Sequence, residues 1–219
     1  MIIICGGIKG GGGKTTTAIN LAIMRGISGF DVLLVDADSI DNGNASDFSS
    51  IRDEIMEDKH YTAIQLNGKA IAKELPSLAK KFDDIIIDVG GHDSISQRAS
   101  LTVADLLLLP IFPSSFDTWV IEAVNTLIEE ASIINPNLKA SCFLSRADST
   151  GNQNNDTSKI LKEDYPEISF INCPIKNRKV FRNAISQGLG VVEVKPKDKK
   201  AINELIKLYK TVFNEDFKN

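Results

Sequence analysis

A glycine-rich stretch near the start of the chain has the residue types that phosphate binding requires. It follows the apolar run Ile2-Ile3-Ile4 and consists of Lys9, Gly10, Gly11, Gly12, Gly13, Lys14, Thr15 and Thr16. Glycines let a loop wrap closely enough for its N–H groups to face an anion, and a helix beginning near Lys14 adds its positive dipole end. The stretch therefore predicts a strand, a phosphate-binding loop and a helix, the arrangement of a P-loop.

Each polar side chain of a P-loop has its own task. We expect Lys14 to reach the β- and γ-phosphates of a nucleoside triphosphate, Thr15 to bind Mg²⁺ through its hydroxyl, and Thr16 to meet the α-phosphate. The strict pattern G-x-x-x-x-G-K-[ST] is not met, because Ile8 stands five positions before Gly13. A second lysine, Lys9, heads the loop instead.

Aspartates end two further apolar runs. Asp36 and Asp38 close the first run, and Asp88 closes the second in a Walker B pattern, followed by Gly90-Gly91. Parallel strands bring their carboxyl ends to one edge of a sheet, so these aspartates are expected to face the phosphates. Asp88 would hold a magnesium-bound water, and the glycines would let the next loop approach the γ-phosphate.

The lysine-headed loop resembles the deviant Walker A motif, K-G-G-x-G-K-[ST], of the ParA/MinD family of dimeric ATPases. The similarity continues at three further places: Asp36 to Asp38, Asp84 to Asp88, and Pro110 to Asp117. The resemblance implies ATP, Mg²⁺ and an ATP-bound sandwich homodimer in which Lys9 reaches the γ-phosphate of the partner's nucleotide. It also implies that Asp36 supports the magnesium shell and that Asp38 positions or activates the attacking water.

Two positions depart from the family pattern or from related classes. The segment after Asp38 carries two extra residues and no proline before Gly43 to Ser46. His92 stands where many GTPases keep a catalytic residue, but the lysine-headed class does not catalyse from that position. We therefore assign the water to Asp38 and not to His92.

The base site is less specific. Ser145-Arg146-Ala147-Asp148 stands where P-loop proteins read the base and is a degenerate match to the guanine-reading N-K-x-D. Arg146 is therefore a candidate base contact, and by the resemblance Pro174 lies near the family's base pocket. Adenine is favoured, while guanine stays open.

Composition is that of a soluble globular protein, with 42% hydrophobic and 25% charged residues among 219. No apolar run approaches the roughly 20 residues that span a bilayer, and no signal peptide is evident, so a cytoplasmic protein with no membrane partner is expected. The three cysteines, Cys5, Cys142 and Cys173, are scattered and are expected to be buried thiols.

Positive charge is concentrated in one late segment. Between residues 176 and 200 there are two acidic residues and eight basic ones: Lys176, Arg178, Lys179, Arg182, Lys195, Lys197, Lys199 and Lys200. The rest of the chain is acidic, because the whole carries a formal charge of −4. A solvated face is the simpler interpretation, but such a segment also suits sequence-independent contact with a DNA backbone, and Lys176, Arg178, Lys179, Arg182, Lys197, Lys199 and Lys200 are the candidate contacts.

Alternating strands and helices predict a single α/β domain over residues 1–219, with a mainly parallel twisted sheet and helices on both faces. Helices are expected over Lys69 to Phe82, interrupted at Pro76, and over Lys176 to Gln187 and Asp198 to Phe213.

The chain starts directly on the nucleotide-binding strand and so resembles the short partition ATPases of plasmids. This implies ATP-dependent DNA segregation: the dimer binds nonspecific DNA on the nucleoid, and a centromere-bound adaptor of the ParB type stimulates hydrolysis. A MinD-like positioning ATPase and a dethiobiotin synthetase-like ATP-dependent enzyme are the alternatives.

Overall fold

The computed structural model describes residues 1–38, 45–91, 94–113, 118–148 and 152–218. Strands and helices alternate along the chain. The strands are β1 (Ile2–Cys5), β2 (Val32–Asp36), β3 (Thr62–Gln65), β4 (Asp84–Asp88), β5 (Leu106–Ile111), β6 (Lys139–Leu144) and β7 (Ile168–Phe170). The helices are α1 (Lys14–Ile27), α2 (Ala45–Ile55), α3 (Ala70–Leu78), α4 (Ile95–Leu101), α5 (Thr118–Ile134), α6 (Gln153–Glu163), α7 (Lys179–Ser186) and α8 (Lys199–Phe213).

The described strands form one seven-stranded sheet in the order β3-β2-β4-β1-β5-β6-β7, and each neighbouring pair is parallel. β1, which leads into the glycine loop, lies at the centre between β4 and β5. In the register, Asp88 is the partner of both Cys5 and Asp36. The ends of β1, β2 and β4 therefore lie side by side at one edge, as the sequence predicted.

Helices cover both faces of the sheet because its central strand β1 is apolar and buried at every position. In β1, Ile3 and Cys5 join a core with α1, α2, α7 and α8, while Ile2 and Ile4 join a second core with α3, α4, α5 and α6. Successive side chains of a strand point to opposite faces, so one continuous apolar run supplies two cores. The predicted fold class, α/β with a parallel sheet between two helical layers, is confirmed.

Two helices differ from the sequence expectation. α3 runs from Ala70 to Leu78 with Pro76 inside it, and the helical pattern continues with Ala79 N donating to the Leu75 carbonyl. The proline lies on the exposed face and costs one hydrogen bond, while buried Ile71 and Leu75 hold the helix on the sheet. The interruption predicted at Pro76 is therefore wrong.

The second difference concerns the basic segment. α7 begins at Lys179, and Arg178 before it is extended. Lys176 pairs with Ala147 in an isolated parallel bridge, which extends the sheet pairing between the ends of β6 and β7. The expectation that the helix starts at Lys176 is wrong because this backbone is engaged by the sheet.

Cys5, Cys142 and Cys173 are buried free thiols, as predicted. In the described part of the chain, none of the helices has both the length and the apolar character needed to span a bilayer.

Candidate nucleotide-binding site

The glycine loop adopts backbone angles that only glycine tolerates well. Gly11 and Gly13 have φ values of 77° and 94°. A Cβ on Gly12 would lie 2.9 Å from the Pro110 carbonyl oxygen, and one on Gly13 would lie 2.7 Å from Ser145 Oγ. The loop is therefore pressed against the ends of β5 and β6, where a side chain would not fit.

Lys14 lies at the start of α1 with its side chain buried, and its Nζ donates to the Lys9 carbonyl at 3.0 Å. Burial lowers the pKa of Lys14, while the charges of Asp88 and Asp38 oppose this effect. Lys9 thus lies at the start of the loop, and the side chain of Lys14 folds back toward the Lys9 backbone.

Asp36 and Asp88 are both buried at the carboxyl edge of the sheet. Asp36 accepts backbone hydrogen bonds from Asp38 at 3.1 Å and from Ser46, at the start of α2, at 2.9 Å. Asp36 therefore accepts hydrogen bonds from the residues on both sides of 39–44, the segment that departs from the family pattern and lies outside the described residues. Asp38 itself is partly exposed at this edge.

The carboxyl of Asp88 has a strongly shifted pKa. Burial raises the pKa of Asp88 to about 7, and the hydrogen bond from the Thr15 hydroxyl only partly offsets this effect. Its Oδ1 atom is buried without a hydrogen-bond partner. An orphaned buried carboxylate oxygen beside a threonine hydroxyl is a donor set that fits a hard divalent cation such as Mg²⁺.

No cluster of three or more His, Cys, Asp and Glu side chains suited to a metal is found within the described ranges. Mg²⁺ is usually held by one or two carboxylates together with substrate phosphates and waters. The set of Thr15, Asp36 and Asp88 matches that pattern, in which the nucleotide supplies the remaining ligands.

The loop after β4 touches the P-loop directly. A Cβ on Gly91 would lie 2.7 Å from Gly10 Cα, so the two glycines form a backbone contact that no side chain could enter. The approach of this loop to the γ-phosphate stays a prediction. His92 and Asp117, both discussed from the sequence, lie outside the described residues.

Gln97 of α4 was not singled out by the sequence. Its Oε1 accepts from Gly7 N at 3.1 Å, and the side chain is completely buried. The contact links the helix after the Gly91 loop to the start of the P-loop. A glutamine inside a short helix gives no sequence signal for such a contact, because the partner is 90 residues away.

A cavity of about 880 Å³ opens beside the P-loop. It is lined by the loop and the start of α1, including Thr15 and Thr16, by Ser145 and Arg146 after β6, and by residues of the 175–186 segment. This volume lies within the range of small-molecule and cofactor sites. Arg146 reaches it, whereas Pro174 is not among the described residues that line it, so a base contact by Pro174 stays a prediction.

The basic segment borders the same cavity. Lys176, Arg178, Lys179 and Arg182 line it, while Lys195, Lys197, Lys199 and Lys200 are exposed outside it. The sequence treated these eight as one charged surface. The fold gives the two groups different surroundings, because the first borders the nucleotide cavity and the second lies at or just before the start of α8.

Part of this charge is compensated within the protein. Arg178 Nη2 lies 2.6 Å from Glu204 Oε1 of α8, and Glu204 also accepts from the backbone N of Lys176. Lys176 Nζ donates to the Asp148 carbonyl. The sequence count ended at residue 200 and missed Glu204, so the net charge of residues 176–200 overstates the local positive charge.

A parallel sheet with a glycine loop after its central strand, a buried lysine, and carboxylates at the ends of β2 and β4 defines a P-loop nucleoside triphosphatase. The chain matches the CobQ/CobB/MinD/ParA nucleotide binding domain over residues 2–214 and belongs to that family. It is an ATPase of the ParA/MinD type.

A relative and two solved structures illustrate the similarity. Maintenance of carboxysome distribution protein A of Halothiobacillus neapolitanus is 25% identical over 214 residues, covering 90% of this chain and 89% of the relative. An ATP complex of McdA from Cyanothece has a TM-score of 0.79 and 17% identity, with 97% and 95% of the chains covered. A putative plasmid partition protein from Borrelia burgdorferi bound to AMPPNP has a TM-score of 0.75 and 20% identity, with 97% and 98% covered.

Proposed function

We propose that this ATPase segregates or positions a cargo on DNA: ATP closes a homodimer, the dimer binds DNA without sequence preference, and hydrolysis releases it. The observation that carries the proposal is the shared wall between the nucleotide cavity and the basic segment. Four basic residues of that segment line the cavity, and the remaining four lead into α8, whose Leu205 and Leu208 also line it. A nucleotide in the cavity therefore contacts the elements that carry the DNA-binding charge.

The proposed chemistry uses the residues at the sheet edge. Thr15, Asp36 and Asp88 would hold Mg²⁺, which would neutralise phosphate charge when bound. Asp38 orients the attacking water. Lys14 and the partner subunit's Lys9 stabilise the negative charge that develops on the γ-phosphate, so hydrolysis requires the dimer.

Among the candidate DNA contacts, three lie outside the nucleotide cavity and are exposed: Lys197, Lys199 and Lys200. The other four, Lys176, Arg178, Lys179 and Arg182, face the cavity, so their removal would disturb ATP and DNA together. The three lysines at the start of α8 therefore give the cleaner test of DNA binding. A dimer presents two copies of this surface, which raises DNA affinity through effective concentration.

The test is DNA binding with a slow ATP analogue across a salt series, using random-sequence duplexes. Replacing Lys197, Lys199 and Lys200 by glutamine should flatten the salt slope, because each phosphate contact adds about 0.9 to it. The matched control replaces three exposed lysines elsewhere, Lys80, Lys81 and Lys139, which removes the same charge. Equal losses in both variants would show that only net charge matters, and unchanged binding in the first would place DNA elsewhere.

A protein assembly as cargo is the second candidate, and it rests on the relative named for carboxysome distribution. Both candidates share the ATP cycle and the DNA surface, and they differ in the adaptor. A ParB-type adaptor would bind a centromere sequence, whereas a positioning adaptor would bind the protein cargo. Co-sedimentation with DNA and with liposomes separates both from a MinD-like membrane cycle, since binding to liposomes with ATP would contradict the proposal.

A further inference from the structure

Arg146 has a strained backbone that the surrounding sheet enforces. Its φ of 52° is in the left-handed region, which is unfavourable for a residue with a Cβ. On one side Ser145 N donates to the Ile111 carbonyl at 2.7 Å, and on the other Ala147 N donates to the Ile175 carbonyl at 2.9 Å. Strain of this kind persists where the fold over-determines it, and strained residues are concentrated at functional sites.

The side chain of Arg146 ends on the P-loop. Its Nη1 donates to the Gly11 carbonyl at 2.9 Å, and the guanidinium carbon lies 4.6 Å from the centre of the Phe112 ring. Phe112 comes directly after β5, so a stacking contact on one side and a hydrogen bond on the other determine where the guanidinium lies. The contact bridges 135 positions of sequence.

Holding one carbonyl of this loop orients the next amide as well. A peptide group is planar and trans, so the Gly12 N–H points opposite to the Gly11 C=O that accepts the hydrogen bond from Arg146. Four consecutive glycines, Gly10 to Gly13, also lose more conformational entropy on ordering than other residues would. A clamp that orders them before the nucleotide arrives removes part of that cost from binding.

We propose that Arg146 is a positioning residue that pre-organises the P-loop for phosphate binding, rather than a residue that reads the base. This inference rests on the nucleotide site alone and is independent of DNA binding. A phosphate-positioning role and a base-reading role make different predictions for a ligand that has phosphates and no base.

The experiment measures the affinity of nucleotide-free protein for MgATP and for magnesium tripolyphosphate. Arg146→Gly is the main variant, because glycine adopts the positive φ without strain and so keeps the local fold. We expect both ligands to bind about tenfold more weakly, because the variant loses one hydrogen bond and one cation–π contact that order the loop. Turnover at saturating ATP should change less than about threefold, since bound phosphates then order the loop themselves.

Two further measurements exclude a merely structural role. Arg146→Lys keeps the positive charge over the Phe112 ring and one donor, so it should recover part of the affinity for both ligands. Amide hydrogen exchange over residues 10–13 in nucleotide-free protein should be faster in Arg146→Gly than in wild type. Weaker ATP binding with unchanged tripolyphosphate binding would overturn the proposal in favour of base contact, and unchanged binding of both would overturn any role for Arg146.

Discussion

The buried carboxyl of Asp88 should destabilise the nucleotide-free protein at neutral and alkaline pH. Its pKa is raised to about 7 by burial, against a value of 3.8 in an unstructured chain. Below pH 3.8 both the folded and the unfolded states hold the proton, and no penalty exists. Between pH 3.8 and pH 7 Asp88 is ionised in the unfolded state but still protonated in the folded state, so folding stability falls as pH rises. Above pH 7 the penalty is constant.

The magnitude follows from the gap of about three between the two pKa values. At about 1.4 kcal/mol for each pKa unit, ionised Asp88 costs roughly 4 kcal/mol at pH 8 and roughly 2 kcal/mol at pH 5. Asp88→Asn cannot ionise and avoids this cost. We therefore expect the nucleotide-free variant to be more stable than wild type, with a gain that shrinks by about 2 kcal/mol from pH 8 to pH 5.

Urea unfolding of both proteins at the two pH values measures this gain, and the difference between them cancels the titration of other groups. Asp31→Asn, which removes an exposed carboxylate just before β2, is the matched control and should show no such gain. The same Asp88 variant should lose the stabilisation that MgATP confers on wild type, because the proposed metal ligand is gone. A variant less stable than wild type at pH 8, or a gain that grows toward pH 5, would refute the reasoning.

The remaining predictions concern the loop and its neighbours. Lys14→Ala should abolish tight ATP binding, whereas Lys9→Ala should bind ATP but fail to dimerise. Size-exclusion chromatography with a slow ATP analogue measures dimerisation, and a Lys9→Ala protein that dimerised normally would contradict the cross-dimer role. Asp38→Ala should bind ATP and dimerise but hydrolyse ATP at least about a hundredfold more slowly, which is the usual range for a lost general base. A normal rate of single-turnover hydrolysis would show that another group orients the water. Gly91→Ala should weaken nucleotide affinity, because its Cβ would collide with Gly10 Cα at 2.7 Å. Calorimetry measures this affinity, and an unchanged value would mean that the two loops separate at little cost in free energy.

Much of the site could be predicted from the sequence because its signals are local. Apolar runs predict buried strands, the glycine run with its lysines predicts a phosphate loop, and aspartates that end strands reach the same edge in a parallel sheet. Asp36 and Asp88 therefore lie where the pattern placed them, beside the P-loop.

Which basic residues line the nucleotide cavity was decided only by the tertiary structure. A charge count treats neighbours in sequence as neighbours in space, whereas the bridge between Ala147 and Lys176 turns this segment over the nucleotide cavity. The pairing of Arg178 with Glu204 likewise depends on how α8 packs against the end of the sheet.

By itself the sequence determined the fold class, the phosphate loop and the carboxylates, since each follows from spacing within a few residues. Only the tertiary structure decided that Arg146 donates a hydrogen bond to the Gly11 carbonyl. It also decided that one oxygen of Asp88 is buried without a hydrogen-bond partner and that the pKa of this carboxyl is raised. Both depend on which strand ends are adjacent and on how completely water is excluded there. Strand order and burial are properties of the packed molecule, and no periodicity in the chain encodes them.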